Sequence, residues 1–177
     1  MFHASPTFLN WPSACFGGSG RNPVPKWKYS VTGLDPDKTV KCAGREVRIS
    51  PKAAVEICGT IRGMRVAEAK ELLERVCAKK KAIPYKRYKK EVPHRSLDER
   101  WHAGRYPVKA ASTILKLLEE LEANAEYKGL NLAKVKIIHA ASQRGMKIRN
   151  YVPRAHGRSS PSFNILTHLE IVGYEGE

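Results

Sequence analysis

Acidic residues are scarce in this chain, and over two long stretches they are missing altogether. Only 17 aspartates and glutamates stand against 32 lysines and arginines, giving a net charge of +15 over 177 residues. An excess of this size says little about fold and much about partners. Nucleic acid is the commonest polyanion that rewards it, because each neutralised phosphate releases condensed counterions. An anionic membrane would require an apolar anchor or a strongly amphipathic basic helix, and neither is legible. Nor is there a run of about 18 apolar residues, the length a bilayer-spanning helix requires. Cysteine is sparse too: Cys15, Cys42, Cys58 and Cys77 are too widely spaced to form the C-x-x-C knuckle common in zinc sites. They are expected to be free thiols in a reducing cytosol, with Cys58 and Cys77 in helical segments.

Catalytic constellations are equally lacking. The six histidines are His3, His94, His102, His139, His156 and His168, and none belongs to an H-E-x-x-H pair. No G-x-S-x-G elbow or phosphate-cradling G-x-x-x-x-G-K-[ST] loop occurs. His139 and His168 fall in strand-like segments and are expected to be partly buried or RNA-facing. Glu119, Glu120 and Glu122, with Lys116, read as the solvated face of a helix and not as an acid–base pair. The expectation is therefore no enzyme, no cofactor and no metal.

Residues 1–25 hold four prolines, three glycines, one arginine and no acid. The apolar run of a signal peptide is broken by Pro6 and Pro12, and the arginines of a transit peptide are missing. The expectation is a flexible extension, or the product of an upstream start codon, with Phe8, Trp11 and Phe16 as possible docking residues.

The rest punctuates into elements. Gly33 and Asp35-Pro36 signal turns, and 26–49 reads as a loop leading into a strand that ends with Val47 and Ile49 on one face and Glu46 and Arg48 on the other. Ser50-Pro51 opens a helix, with a serine N-cap and proline at the first helical position. Ala54, Ile57, Cys58 and Ile61 form its stripe, and Gly63 closes it. A second helix over about 66–80 buries Val66, Ala69, Leu72, Leu73 and Val76, and the short join favours an antiparallel pair with the first. A third, about 107–128, starts at Pro107, buries Val108, Ala111, Ile114, Leu115, Leu118 and Ala125, and ends at Gly129. Strands are expected over 134–142, with Val135, Ile137 and His139 on one face and Lys136, Ile138 and Ala140 on the other, and over 166–174. The two flank a basic stretch and pair as a hairpin.

Two acid-free stretches carry the charge. From Arg75 to Lys90 there are eight basic residues, interleaved with Tyr85 and Tyr88, and Pro84 and Pro93 make residues 79–106 a loop. From Tyr127 to Leu169 there are again eight. Residues 134–150, if extended, span about 55 Å at roughly 3.3 Å per residue. A body of this chain length is only about 40 Å across, so the hairpin is expected to leave it. An isolated two-stranded ribbon is marginal in water, and this one repels itself. It makes sense if a surrounding polyanion supplies the missing packing, with Arg149, Arg154 and Arg158 forking onto phosphates. The candidate contacts are Lys79, Lys80, Lys81, Lys86, Arg87, Lys89, Lys90, Arg95, Arg105 and Lys109 on the body. On the arm they are Lys134, Lys136, Arg144, Lys147, Arg149, Arg154 and Arg158.

These residues also carry a resemblance. IIHAASQRG and MKIRNYVPRAHGR (146–158), followed by THLEIV, resemble the hairpin of the L-twenty-two family of large-subunit ribosomal proteins. WKYSVTGLDPDKTVKCAGREVRISPKAAVEICGTIRGM (27–64), RYKKEVPHR, GRYPVKAA and NAEYKGL resemble, in order, its archaeal and eukaryotic branch. The match covers about residues 26–173. It implies an α+β fold: three helices packed on a small antiparallel sheet, with a long protruding β-hairpin over about 134–173. It further implies large-subunit ribosomal RNA and neighbouring ribosomal proteins as partners in the cytoplasm, with no membrane role and no independent homo-oligomer. In that family the tip, about 146–160, lines the nascent-peptide exit tunnel. The resemblance places Met146, Lys147, Ile148, Arg149, Asn150, Tyr151 and Arg154 there, with Arg158 close by. The competing reading is a free basic regulatory module that binds DNA or messenger RNA.

Overall fold

Strand β7 (Asn164–Glu175) is the middle of a three-stranded antiparallel sheet, between β1 (Thr39–Val47) and β4 (Val135–Ile148). Buried from Leu166 to Gly173 except at His168, it shows no alternation to read. The computed structural model describes residues 28–97 and 101–176, and from Val31 onward the chain is one compact unit. The extension expected over 1–25, with its aromatic residues, lies outside the described residues.

Strand β1 begins at Thr39, within the segment expected to be loop, and pairs with β7 from Thr39↔Tyr174 to Val47↔Thr167. A bulge between Gly44 and Val47, with Glu46 at φ 50°, falls where the alternation was expected. There Val47 is half-buried, and Ile49 reaches the core through a tight turn closed by its own N–H on the Val47 carbonyl, 2.9 Å. Buried Thr167 ties this turn to β7 by donating to the Ile49 carbonyl at 2.9 Å.

Helix α1 (Pro51–Ile61) starts at the expected proline, but Ser50 at its N-cap makes no side-chain capping bond. Ala54, Ile57, Cys58 and Ile61 are buried as expected, and Gly63 takes the left-handed conformation just beyond the end, φ +87°. Helix α2 (Val66–Cys77) is shorter than expected and packs mainly on α3 (Val108–Tyr127) instead of α1. The reason lies in the join. Gly63 N–H donates to the Ile137 carbonyl at 2.7 Å, and Ile137 N–H donates to Met64 at 2.9 Å. The connection is thus bonded to the edge of β4, and α2 is aimed away from α1.

Helix α3 (Val108–Tyr127) buries Ala110, Ala111, Ile114, Leu117, Leu118, Leu121 and Ala125, while Val108 and Leu115 are only half-buried. Each fully buried aliphatic side chain contributes about 1.5–3 kcal/mol of transfer free energy. The helix ends in a Schellman arrangement: Leu130 N–H bonds to the Ala125 carbonyl and Gly129 N–H to that of Glu126, with Gly129 at φ +72°. Helices α1 and α3 both contact the sheet. The carboxylates of α3 are not all solvated as expected: Glu122 pairs with Lys70 of α2, and Glu120 accepts the Cys42 thiol of β1 at 3.3 Å.

Residues 79–106 are not wholly loop. Strands β2 (Ile83–Pro84) and β3 (Gly104–Arg105) pair, and His94 bridges Ala103.

Candidate nucleic-acid interface

The hairpin is longer than its apolar pattern. Strands β4 and β7 stay paired from Val135↔Glu175 out to Ile148↔Asn164. A second ladder continues through β5 (Tyr151–Pro153) and β6 (Ser159–Pro161) to a turn of 3-10 helix at Ala155–Gly157. The ladders are joined by Ser162 N–H on the Asn150 carbonyl, 2.7 Å. His156 and Gly157 turn the chain in the left-handed region, at φ 56° and 67°. Two bulges shape β4. The one between Ile137 and His139 shifts the phase, so Ala140 joins Val135 and Ile137 in the core, and Ile138 faces out. That reverses the face expected for Ala140 and removes His139 from the inner set, because an extra residue inverts a two-residue period. The other bulge, between Arg144 and Lys147, holds Gly145. A Cβ there would lie 2.8 Å from Nε2 of His168. His168 is half-buried, and its Nδ1 accepts the Glu46 N–H at 3.1 Å.

From Ala141 to Ile165 no residue is buried. Arg144, Lys147, Arg149, Arg154 and Arg158 are all exposed, as are Met146, Ile148, Asn150, Tyr151 and Val152. The hairpin therefore shows cations and large apolar groups together. Tyr151 and Phe163 meet edge to face at 5.7 Å, and Lys147 Nζ sits 4.9 Å above the Phe163 ring.

The body carries the second basic surface. Lys79, Lys80, Lys86, Arg87, Lys89, Lys90, Arg95, Arg105, Lys109, Lys134 and Lys136 are exposed, and Lys81 is half-buried. Arg87, Lys89, Lys90 and Arg105 converge on a cleft of about 630 Å³, joined by Lys52 of α1 and by Tyr85, Tyr88 and Tyr106. Lys80 and Lys81 line a separate hollow of about 290 Å³ with Arg75. Lys79, Lys86, Arg95, Lys109, Lys134 and Lys136 line neither. Aromatic rings brace the cations: Arg95 lies 5.4 Å from the Tyr106 ring and Lys89 5.7 Å from that of Trp101. Trp101 in turn donates its indole N–H to the Tyr85 carbonyl at 3.0 Å. Burial pushes the Tyr85 phenol above its ordinary pKa, against the pull of Arg105.

The family model for ribosomal protein L22p/L17e matches residues 42–173 of this chain. The chain belongs to this family. Curated relatives named large ribosomal subunit protein uL22 match it over most of both lengths. The Archaeoglobus fulgidus protein is 51% identical over 150 residues, 85% of this chain and 97% of its own. That of Thermofilum pendens is 47% identical over 154 residues, covering 87% and 100%. That of Methanopyrus kandleri is 49% identical over 149 residues, covering 82% and 94%. As a member of the L22p/L17e family the chain is a structural ribosomal component, not an enzyme.

Two participants in the L22p/L17e body surface escaped the reading of basic runs. Lys52 belongs to a helix and stands apart from the runs in sequence. Glu56, only 6% exposed, accepts the backbone N–H groups of Lys86, Arg87 and Tyr88 at 3.1, 2.9 and 2.8 Å. Its signal was present: an acid beside Ile57, in the inward stripe of α1, needs buried donors.

Proposed function

We propose that the chain is a structural constituent of the large ribosomal subunit that binds large-subunit ribosomal RNA through both basic surfaces and supports assembly of the particle in the cytoplasm. Residues 26–177 form a single ribosomal-protein domain whose body docks on RNA and on neighbouring ribosomal proteins. The hairpin end, from Met146 to Arg154, lines the nascent-peptide exit tunnel and meets the growing peptide. The single observation that carries this reading is the outer part of the hairpin: it is paired to its end, has no buried residue from Ala141 to Ile165, and lies within a stretch without an acidic residue from Tyr127 to Leu169. Exposed Met146, Ile148, Tyr151 and Val152 would be a liability in water, and an enclosing RNA wall removes it.

The test is residence and reach. In moderate salt the chain should sediment with large subunits at one copy per particle, and a photo-crosslinker at Tyr151 should capture nascent peptide. A chain found mostly free, bound to one short nucleic-acid target, would replace this reading with that of a regulatory module. Stoichiometric binding without nascent-chain crosslinks would remove the tunnel contact alone.

A further inference from the structure

We propose that Glu56 is the positioning residue of the body's RNA site, and that the cleft it shapes takes an unpaired RNA segment; this rests on the ribosomal reading above. A buried carboxylate must be compensated by hydrogen bonds or charge. Here three successive main-chain N–H groups do so: Oε2 accepts from Lys86, and Oε1 from Arg87 and Tyr88. Aiming three consecutive amides at one carboxylate curls the backbone around it. The same segment carries Arg87, Lys89 and Lys90 into the lining of a cleft that they share with Lys52 and Arg105. Arg105 is itself fixed by donation from Nη2 to the Glu91 carbonyl at 2.8 Å. Glu91 is the one acidic residue in the lining, against five cations. The Tyr88 ring has two cations beside it, 5.8 Å from Lys52 Nζ and 5.7 Å from Arg87 Cζ.

Shape selects the ligand. At about 630 Å³ the cleft falls within the roughly 300–1,000 Å³ of small-ligand sites. An A-form duplex offers a broad minor groove and phosphate ridges and cannot enter. A splayed nucleotide can, with its phosphates among the cations and its base against a tyrosine. Glu56→Gln keeps the size but leaves one acceptor oxygen for three main-chain donors: its NH₂ opposes either the Lys86 N–H or those of Arg87 and Tyr88, so the curl loosens and the cations disperse.

The test measures binding of the full chain to oligouridylate and to an RNA duplex of equal length across a salt series. The native chain should prefer the single strand. Glu56→Gln should weaken oligouridylate binding at least about tenfold. It should also lower the salt slope by roughly 2, since each lost single-strand phosphate contact removes about 0.7. In a chain already carrying Arg87→Ala, Lys89→Ala and Lys90→Ala, Glu56→Gln should cost little more, the sign of action through that loop and not of general damage. Additive losses, or an unchanged slope in a variant whose parent binds RNA, overturn the role of Glu56 and leave the ribosomal reading standing. Equal affinity for duplex overturns the unpaired ligand. If Glu56→Gln does not fold, Lys52→Ala decides: this exposed change should lower the slope by about 0.7, and no change overturns the cleft. A native chain that binds neither RNA and does not sediment with large subunits overturns the ribosomal reading itself.

Discussion

Gly173 and Gly59 show how one methyl group changes sign with its surroundings. A Cβ on Gly173 would lie 2.9 Å from Val135 Cγ1 and 3.4 Å from Leu121 Cδ2, in the closed core between β4, β7 and α3. Gly173→Ala should therefore destabilise by about 1–3 kcal/mol through overpacking. Gly59 is exposed inside α1, and its Cβ would meet nothing within 4 Å. Gly59→Ala should stabilise by about 0.5–1 kcal/mol by removing backbone freedom from the unfolded chain. Denaturant unfolding of the two variants checks both signs. The thiols offer a second residue-scale test. Burial pushes Cys42 up to about 12, helped by its bond to Glu120; burial also pushes Cys58 up to about 12, against the pull of Arg62. Cys77 is raised by burial and then by Glu74, but it is only half-buried. At pH 8 alkylation of Cys77 should outrun that of Cys42 and Cys58 by at least about tenfold, since the thiolate is the nucleophile. Because the folded state holds protons on Cys42 and Cys58 that the unfolded chain releases near 9.0, their contribution to stability is intact below that pH. It is lost as pH rises towards about 12. Equal labelling of all three thiols would contradict the burial.

Elements differ in how plainly they were written. The helices were legible because proline starts and glycine ends bracket stripes at helical spacing: Pro51 with Gly63, Pro107 with Gly129. Strands with bulges were not, since one extra residue at Glu46 or Ile138 inverts the period being read. The outer ladder of the hairpin was hidden for another reason. It buries nothing, so its pairing is backbone hydrogen bonding with no apolar alternation to announce it. The basic residues of the interface were legible as runs, but their convergence was not, because Lys52, Glu56 and Arg105 come from three separate segments. These differences predict dynamics. In the free protein, amides of 144–162 should exchange rapidly and those of 107–128 slowly, because only the latter are held by buried packing. Comparable protection in the two would mean that the arm is rigid without a partner.

At the scale of the whole molecule, charge and fold divide the labour. The helices and the inner sheet supply their own core, while the hairpin end offers cations and apolar side chains without one. Arg154 sits at the start of the terminal turn, its N–H bonded to the Arg158 carbonyl at 2.8 Å and its side chain exposed. Arg154→Glu therefore leaves the isolated fold unchanged and places a negative charge where phosphates are proposed. Its incorporation into large subunits should fall several-fold in competition with the native chain, while the melting temperatures of the two free proteins agree. Equal incorporation would argue against RNA packing at the tip. The most direct measurement is a map of the intact large subunit, with the hairpin traced through residues 144–162. RNA phosphates should surround Arg149, Arg154 and Arg158, and Met146 and Tyr151 should border the path of the nascent chain. A hairpin standing in solvent at the particle surface, or folded back with those guanidinium groups on the chain's own carboxylates, would contradict it.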